Sequence, residues 1–75
     1  MSNFVEVSYN DVEGLRTLDK PIITLASKYL GSTSGKDFSG DRCSLEFLFP
    51  HFEQVSSFTA ELRVQLPQVA VDRIA

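Results

Sequence analysis

Phe52-Glu53-Gln54-Val55-Ser56-Ser57-Phe58-Thr59-Ala60-Glu61-Leu62-Arg63-Val64-Gln65-Leu66 decides the fold, because it reads in two ways. In steps of two, Phe58, Ala60, Leu62, Val64 and Leu66 alternate with Thr59, Glu61, Arg63 and Gln65, as in a half-buried strand. In steps of three and four, Phe52, Val55, Phe58, Thr59, Leu62 and Leu66 form one helical stripe. The flanks favour the helix. Pro50 stands where a first helical turn tolerates the ring. Glu53 lies in the first turn and Arg63 near the last, each complementing the helix dipole. Pro67 ends the run. A strand would leave residues 51–57 as an unexplained loop. The stretch is expected to be a helix that carries both Phe52 and Phe58 into the core; the alternative is a strand from residue 58.

Working outward, Cys43, Leu45, Phe47 and Phe49 alternate with Ser44 and Glu46, which predicts a strand over 43–49. Ser39-Gly40-Asp41-Arg42 reads as a hairpin turn before it. The small, polar residues 32–39 fit a short edge strand. Further back, Asp19-Lys20-Pro21 signals a helix over about 21–30, with Pro21 in its first turn; Ile22, Leu25, Ala26, Tyr29 and Leu30 form its stripe, and Gly31 is expected to cap its end. Residues 11–18 carry Val12, Leu15 and Leu18 at helical spacing, but Gly14 makes an irregular lead-in more natural. Val5, Val7 and Tyr9 predict a first strand near 3–9, and Val69-Ala70-Val71 starts a last one.

The order is strand, helix, weak strand, strand, helix, strand. This is an α+β chain of the ferredoxin-like, split β-α-β-β-α-β kind: an antiparallel sheet with both helices on one face. Seventy-five residues hold one small domain. An apolar fraction of 43% with mixed charges argues against disorder. No apolar run approaches the roughly 20 residues that span a bilayer, and the first residues lack a basic-then-apolar leader. One cysteine forms no internal disulfide and no thiolate zinc site, so a cytoplasmic location is expected. Seven basic against ten acidic residues give a net charge of −3, which disfavours nucleic acid as a partner.

Gly31-Ser32-Thr33-Ser34-Gly35-Lys36-Asp37 invites comparison with a phosphate-binding loop. Its spacing is one residue short, Asp37 replaces the magnesium-binding hydroxyl, and it follows a helix instead of leading into one. Cys43 needs a base or cation to become a nucleophile. His51 is the only histidine, and eight residues of strand place it about 26 Å away. Cys43 is therefore read as a small buried apolar residue and His51 as a solvated helix-start residue. No catalytic residue, cofactor or metal site is expected.

Glu6, Glu46 and Asp72 fall on neighbouring strands and on the face away from the helices. Phe4 and Leu48 share that face, with Ala70 and Ile74 as further members. Carboxylates among large apolar groups suit a basic protein surface or a second copy of the chain. Such domains also stack single-stranded RNA bases on this face, but here Phe47 and Phe49 point into the core and Glu6 and Glu46 repel phosphate. Lys28, Lys36, Arg42 and Arg73 would have to cluster in space to compensate.

The sequence thus points to a small acidic, non-catalytic protein-interaction module. It would act as an inhibitor or regulator by covering a basic surface of a larger partner, a role that would suit a phage-encoded protein. Expected contact residues are Phe4, Glu6, Glu46, Leu48 and Asp72 on the sheet face, with Lys36 and Asp37 in a competing loop spanning 32–42. The alternatives are a nucleic-acid-binding ferredoxin-like domain and a small carboxylate-based enzyme. A homodimer through the sheet face or an edge strand would also cover the apolar groups.

Overall fold

In a computed structural model, which describes residues 3–11 and 13–75, the elements follow in the order β1 (Phe4–Asn10), α1 (Asp19–Lys28), β2 (Ser32–Ser39), β3 (Arg42–Leu48), α2 (Phe52–Gln65) and β4 (Ala70–Ile74). The strands form one antiparallel sheet in the order β2-β3-β1-β4. This is the α+β, ferredoxin-like arrangement, and residues 52–65 are helical. Among the described residues, no helix is long and apolar enough to cross a membrane.

The alternation of β1 and β3 explains which face is covered. Val5, Val7 and Tyr9 on β1, with Cys43, Leu45 and Phe47 on β3, are buried together with Phe49. Ile22, Leu25 and Ala26 of α1 and Val55, Phe58 and Leu62 of α2 close over them in a single apolar cluster. Three rings form its centre: Phe58 lies 5.6 Å from Phe47 and 5.2 Å from Phe49, centroid to centroid. The other sheet face carries no helix. The two helices are tied by the Lys28 ammonium, 2.9 Å from the Glu61 carboxylate, which also accepts from the Tyr29 hydroxyl at 3.0 Å. The Lys28 hydrogen bond holds the Glu61 carboxyl below its ordinary range, and the same bond raises the lysine.

Several local expectations are corrected. Helix α1 begins at Asp19, two residues before the position read from Pro21. Its end is not capped by a left-handed Gly31; Leu30 takes that conformation at φ 65°. The Leu30 N–H donates to the Ser27 carbonyl and the Gly31 N–H to the Ala26 carbonyl, the paired bonds of a Schellman end. Glycine is needed at 31 for another reason: a Cβ there would lie 2.4 Å from the Phe49 ring. Residues 32–39 form the edge strand expected there and 39–42 the hairpin turn, so the competing loop of 32–42 is not a loop. In this two-residue turn Gly40 sits at φ 61°, as a type II′ turn requires of its first central residue. The N–H groups of an extended strand point alternately to its two edges and converge on no point, so these residues form no phosphate cradle. Phe52 is 56% exposed while Phe58 is fully buried, so the helical stripe is wider than the layer it covers. Val12 lies outside the described residues, and Leu15 is exposed.

Candidate functional site

Cross-strand partners share a face, so the register arranges the bare side of the sheet in rows. At one end Phe4 lies opposite Leu48, and Leu48 opposite Ser32. In the next row Glu6 lies directly opposite Glu46, with Gly35 beyond Glu46 and Arg73 beyond Glu6. The third row holds Asp37, Ser44, Ser8 and Ala70, and the fourth Ser39, Arg42 and Asn10. Sequence reasoning therefore placed Phe4, Glu6, Glu46 and Leu48 together on one face, where the structure brings them into adjacent rows.

Of the members from β4 it placed Ala70 on this face, opposite Ser8, and misplaced Asp72 and Ile74. The register of β1 and β4 shifts between Glu6 and Val7, which makes Asp72 an extra residue with no partner on β1. Arg73, not Asp72, stands opposite Glu6, and Ile74 is paired with Val5 on the helix side. A strict period of two cannot see a bulge. Lys36 and Asp37 leave the edge strand on different sides: Lys36 is paired with Leu45 on the helix side, Asp37 with Ser44 on the bare side. Nor do the cations gather. Lys28 is on α1, Lys36 on the helix side, and Arg42 and Arg73 sit in different rows of the bare face.

The two arginines of this face are already engaged. Arg42 donates from Nε to the Ser8 hydroxyl at 3.0 Å and from Nη1 to Asn10 Oδ1 at 2.7 Å. Ser8 is buried although it lies on a face without helices. The Arg73 guanidinium lies 4.9 Å from the centroid of the Phe4 ring, a cation–π contact. Among the described residues, the ion pairs are Arg16–Asp19 and Lys28–Glu61, so neither Glu6 nor Glu46 has a cationic partner within 4.0 Å. Glu46 leans away from Glu6: its Oε2 comes within 2.9 Å of where a Cβ on Gly35 would stand. The missing side chain at 35 gives the carboxylate that space.

A second polar cluster escaped the sequence reading. The buried Tyr9 hydroxyl donates to Asp19 Oδ1, and Arg16 Nε donates to Asp19 Oδ2. The Arg16 backbone N–H donates to Asp11 Oδ2 at 2.7 Å, and the Cys43 thiol donates to the same oxygen at 3.4 Å. Asp11 and Asp19 are both buried. Burial, then the Asp19 contact, pushes the Tyr9 phenol far above its ordinary range. Burial, then Asp11, pushes the Cys43 thiol up, which disfavours the thiolate that a nucleophile needs. The contact with Asp19 raises Arg16. Beside this cluster, Arg16, Asp19, Lys36, Asp37 and Phe38 line a shallow cleft of about 530 Å³. With Asp11 behind it, this region holds three carboxylates against two cations.

His51 caps α2 with its backbone N–H donating to Gln54 Oε1 at 3.0 Å; its side chain is exposed. Among the described residues, no three His, Cys, Asp or Glu side chains converge as metal ligands would. No protein-family model, curated protein or solved structure matches this chain.

Proposed function

We propose that this protein is a non-catalytic interaction module that covers a basic surface of a larger partner with its bare sheet face, and so inhibits or regulates that partner. One observation carries the reading. Glu6 and Glu46 are directly opposed on the two central strands with no cation between them, although Arg73 stands in the same row. Like charges directly opposite one another destabilise a sheet. The cost is relieved when a lysine or arginine from another molecule settles between the two carboxylates. Phe4 and Leu48 in the adjoining row supply apolar contact beside that charge. A nucleic-acid strand on the same face would meet this pair with its phosphates, and Phe47 is fully buried on the other side.

The test is affinity capture from the native host with wild type and Glu46→Lys side by side. A basic partner should be enriched by wild type and lost by the variant, with association slowing as salt rises. Capture of the same partner by both, or a rate indifferent to salt, would overturn the proposal. A melting curve confirms that the variant is folded.

A further inference from the structure

The register gathers most of the exposed large apolar side chains at one end of the molecule. β1 starts there and β3 ends there, joined by the Phe49 N–H to Asn3 carbonyl bond of 2.9 Å. β4 ends there too, with Ala75 and Phe4 exchanging two backbone bonds of 2.9 Å. α1 ends and α2 begins at the same end, because Gly31 packs on Phe49 and Phe52 follows three residues later. Leu30 is 68% exposed, Phe52 56%, Leu48 46% and Ile74 45%. Leu48 and its partner Phe4 belong both to this end and to the sheet face, so the apolar end runs directly into the Glu6–Glu46 row. Exposed apolar groups rimmed by polar and charged ones mark a docking surface, and the row beside these sets two carboxylates against the single Arg73.

We propose that this apolar end and the acidic row form one continuous docking surface for an amphipathic helix of another protein. Its apolar side would lie on Leu30, Leu48, Phe52 and Phe4, and its lysines or arginines on Glu6 and Glu46. This rests on the functional reading above and names the partner's chemistry. An added strand is a poorer occupant, because both sheet edges are obstructed. On β2 the Phe38 N–H is taken by the Asp37 carboxylate at 2.8 Å, and the register slips at Ser34. On β4 the extra Asp72 breaks the register. A second copy is poorer too. Each copy carries a net charge of −3 and would bring its own acidic row.

The experiment measures fluorescence anisotropy of a labelled, helical Leu–Lys peptide with leucines on one side and lysines on the other. A Leu–Glu peptide of the same pattern serves as the counterpart. The Leu–Lys peptide should bind, the Leu–Glu peptide should not, and Leu30→Ser or Phe52→Ser should weaken binding about tenfold. Leu15→Ser and Val64→Ser, exposed elsewhere, should leave it unchanged. Circular dichroism checks that each variant is folded. No binding of the Leu–Lys peptide, equal binding of the Leu–Glu peptide, or equal loss in the Leu15 and Val64 variants overturns the proposal. So does a dimer in light scattering that Leu30→Ser and Phe52→Ser abolish. In the host capture, a partner kept by those two variants but lost by Glu46→Lys would sink the helix site alone. A partner kept by Glu46→Lys would sink the reading beneath it.

Discussion

Gly31→Ala tests the packing that builds the apolar end. An added Cβ would lie 2.4 Å from Phe49 Cε1, 2.7 Å from Cζ and 3.0 Å from Cδ1. Comfortable carbon contacts lie at about 3.5–4.0 Å, so the ring edge must retreat by about 1 Å. Phe49 has little room to do so. It is 6% exposed, and its centroid lies 5.2 Å from that of Phe58 and 6.5 Å from that of Phe47. The backbone at 31 is fixed in turn by the Gly31 N–H to Ala26 carbonyl bond of 2.8 Å. Overpacking costs about 1–3 kcal/mol, and expelling the ring altogether about 3–5, so the chain should take the cheaper course and lose roughly 2–3 kcal/mol. For a domain of this size that is a fall in Tm of about 10–20 °C. Urea denaturation of Gly31→Ala, Phe49→Leu and the double variant measures it. Leucine removes the ring atoms that the methyl strikes, so the two changes should couple by at least about 1 kcal/mol. A Gly31→Ala protein within about 0.5 kcal/mol of wild type, or strictly additive losses, would refute the reasoning.

Other outcomes follow from the same coordinates. Tyr9→Phe leaves a buried Asp19 oxygen without its phenol donor and should cost about 1.5–3 kcal/mol in urea denaturation. The fold favours the protonated forms of Cys43 and Tyr9, whose ionisation is pushed up by burial. Their contribution is therefore complete below about pH 8 and drains away as pH climbs through the ordinary thiol and then phenol ranges. Melting temperatures against pH should show this decline, and Cys43→Ala should delete its earlier part. Leu30→Gly relieves a left-handed residue worth about 1–2 kcal/mol and adds a glycine entropy cost of about 0.5–1, so stability in urea should rise by about 0.5 kcal/mol. Glu46→Lys replaces a like pair with an opposite pair facing Glu6, and should raise stability by about 0.2–1 kcal/mol while abolishing capture of a basic partner.

The elements were legible wherever burial has a period. β1 and β3 alternate because one side faces the core, and α2 was separable from a strand by its flanking prolines and the charges at its two ends. What failed were positions at which one residue changes the count. The bulge at Asp72 exchanged it with Arg73, which altered the charge of the acidic row from three carboxylates to two carboxylates and an arginine. Gly31 is the residue a capping rule selects, yet Leu30 bears the left-handed turn, and glycine stands at 31 because the space beside Phe49 excludes any side chain there. Glu6 and Glu46 were placed correctly because both lie on central strands whose register no bulge interrupts. Phe52 was misplaced because a helical stripe says which side is apolar but not how far the sheet beneath it extends.

The Tyr9–Asp19–Arg16–Asp11–Cys43 cluster shows a different limit. Its members come from β1, the connection after it, the start of α1 and β3, so no local period joins them. Yet the cluster explains why residues 13–18 are not a helix despite the apolar spacing of Leu15 and Leu18. The Asp11 carboxylate takes the Arg16 backbone N–H, a bond that competes with helical pairing, and Arg16 stands at φ 50° where a helix cannot continue. From that position its guanidinium reaches Asp19, and the acceptor for the Tyr9 hydroxyl is thereby fixed at the start of α1. The connection spends backbone strain on a left-handed arginine to hold two buried carboxylates. Those carboxylates anchor the α1 end opposite the exposed apolar groups. The proposed docking surface and the structural cluster thus lie at opposite ends of the same sheet, and substitutions at Leu30, Leu48 or Phe52 are expected to alter binding without touching the polar cluster.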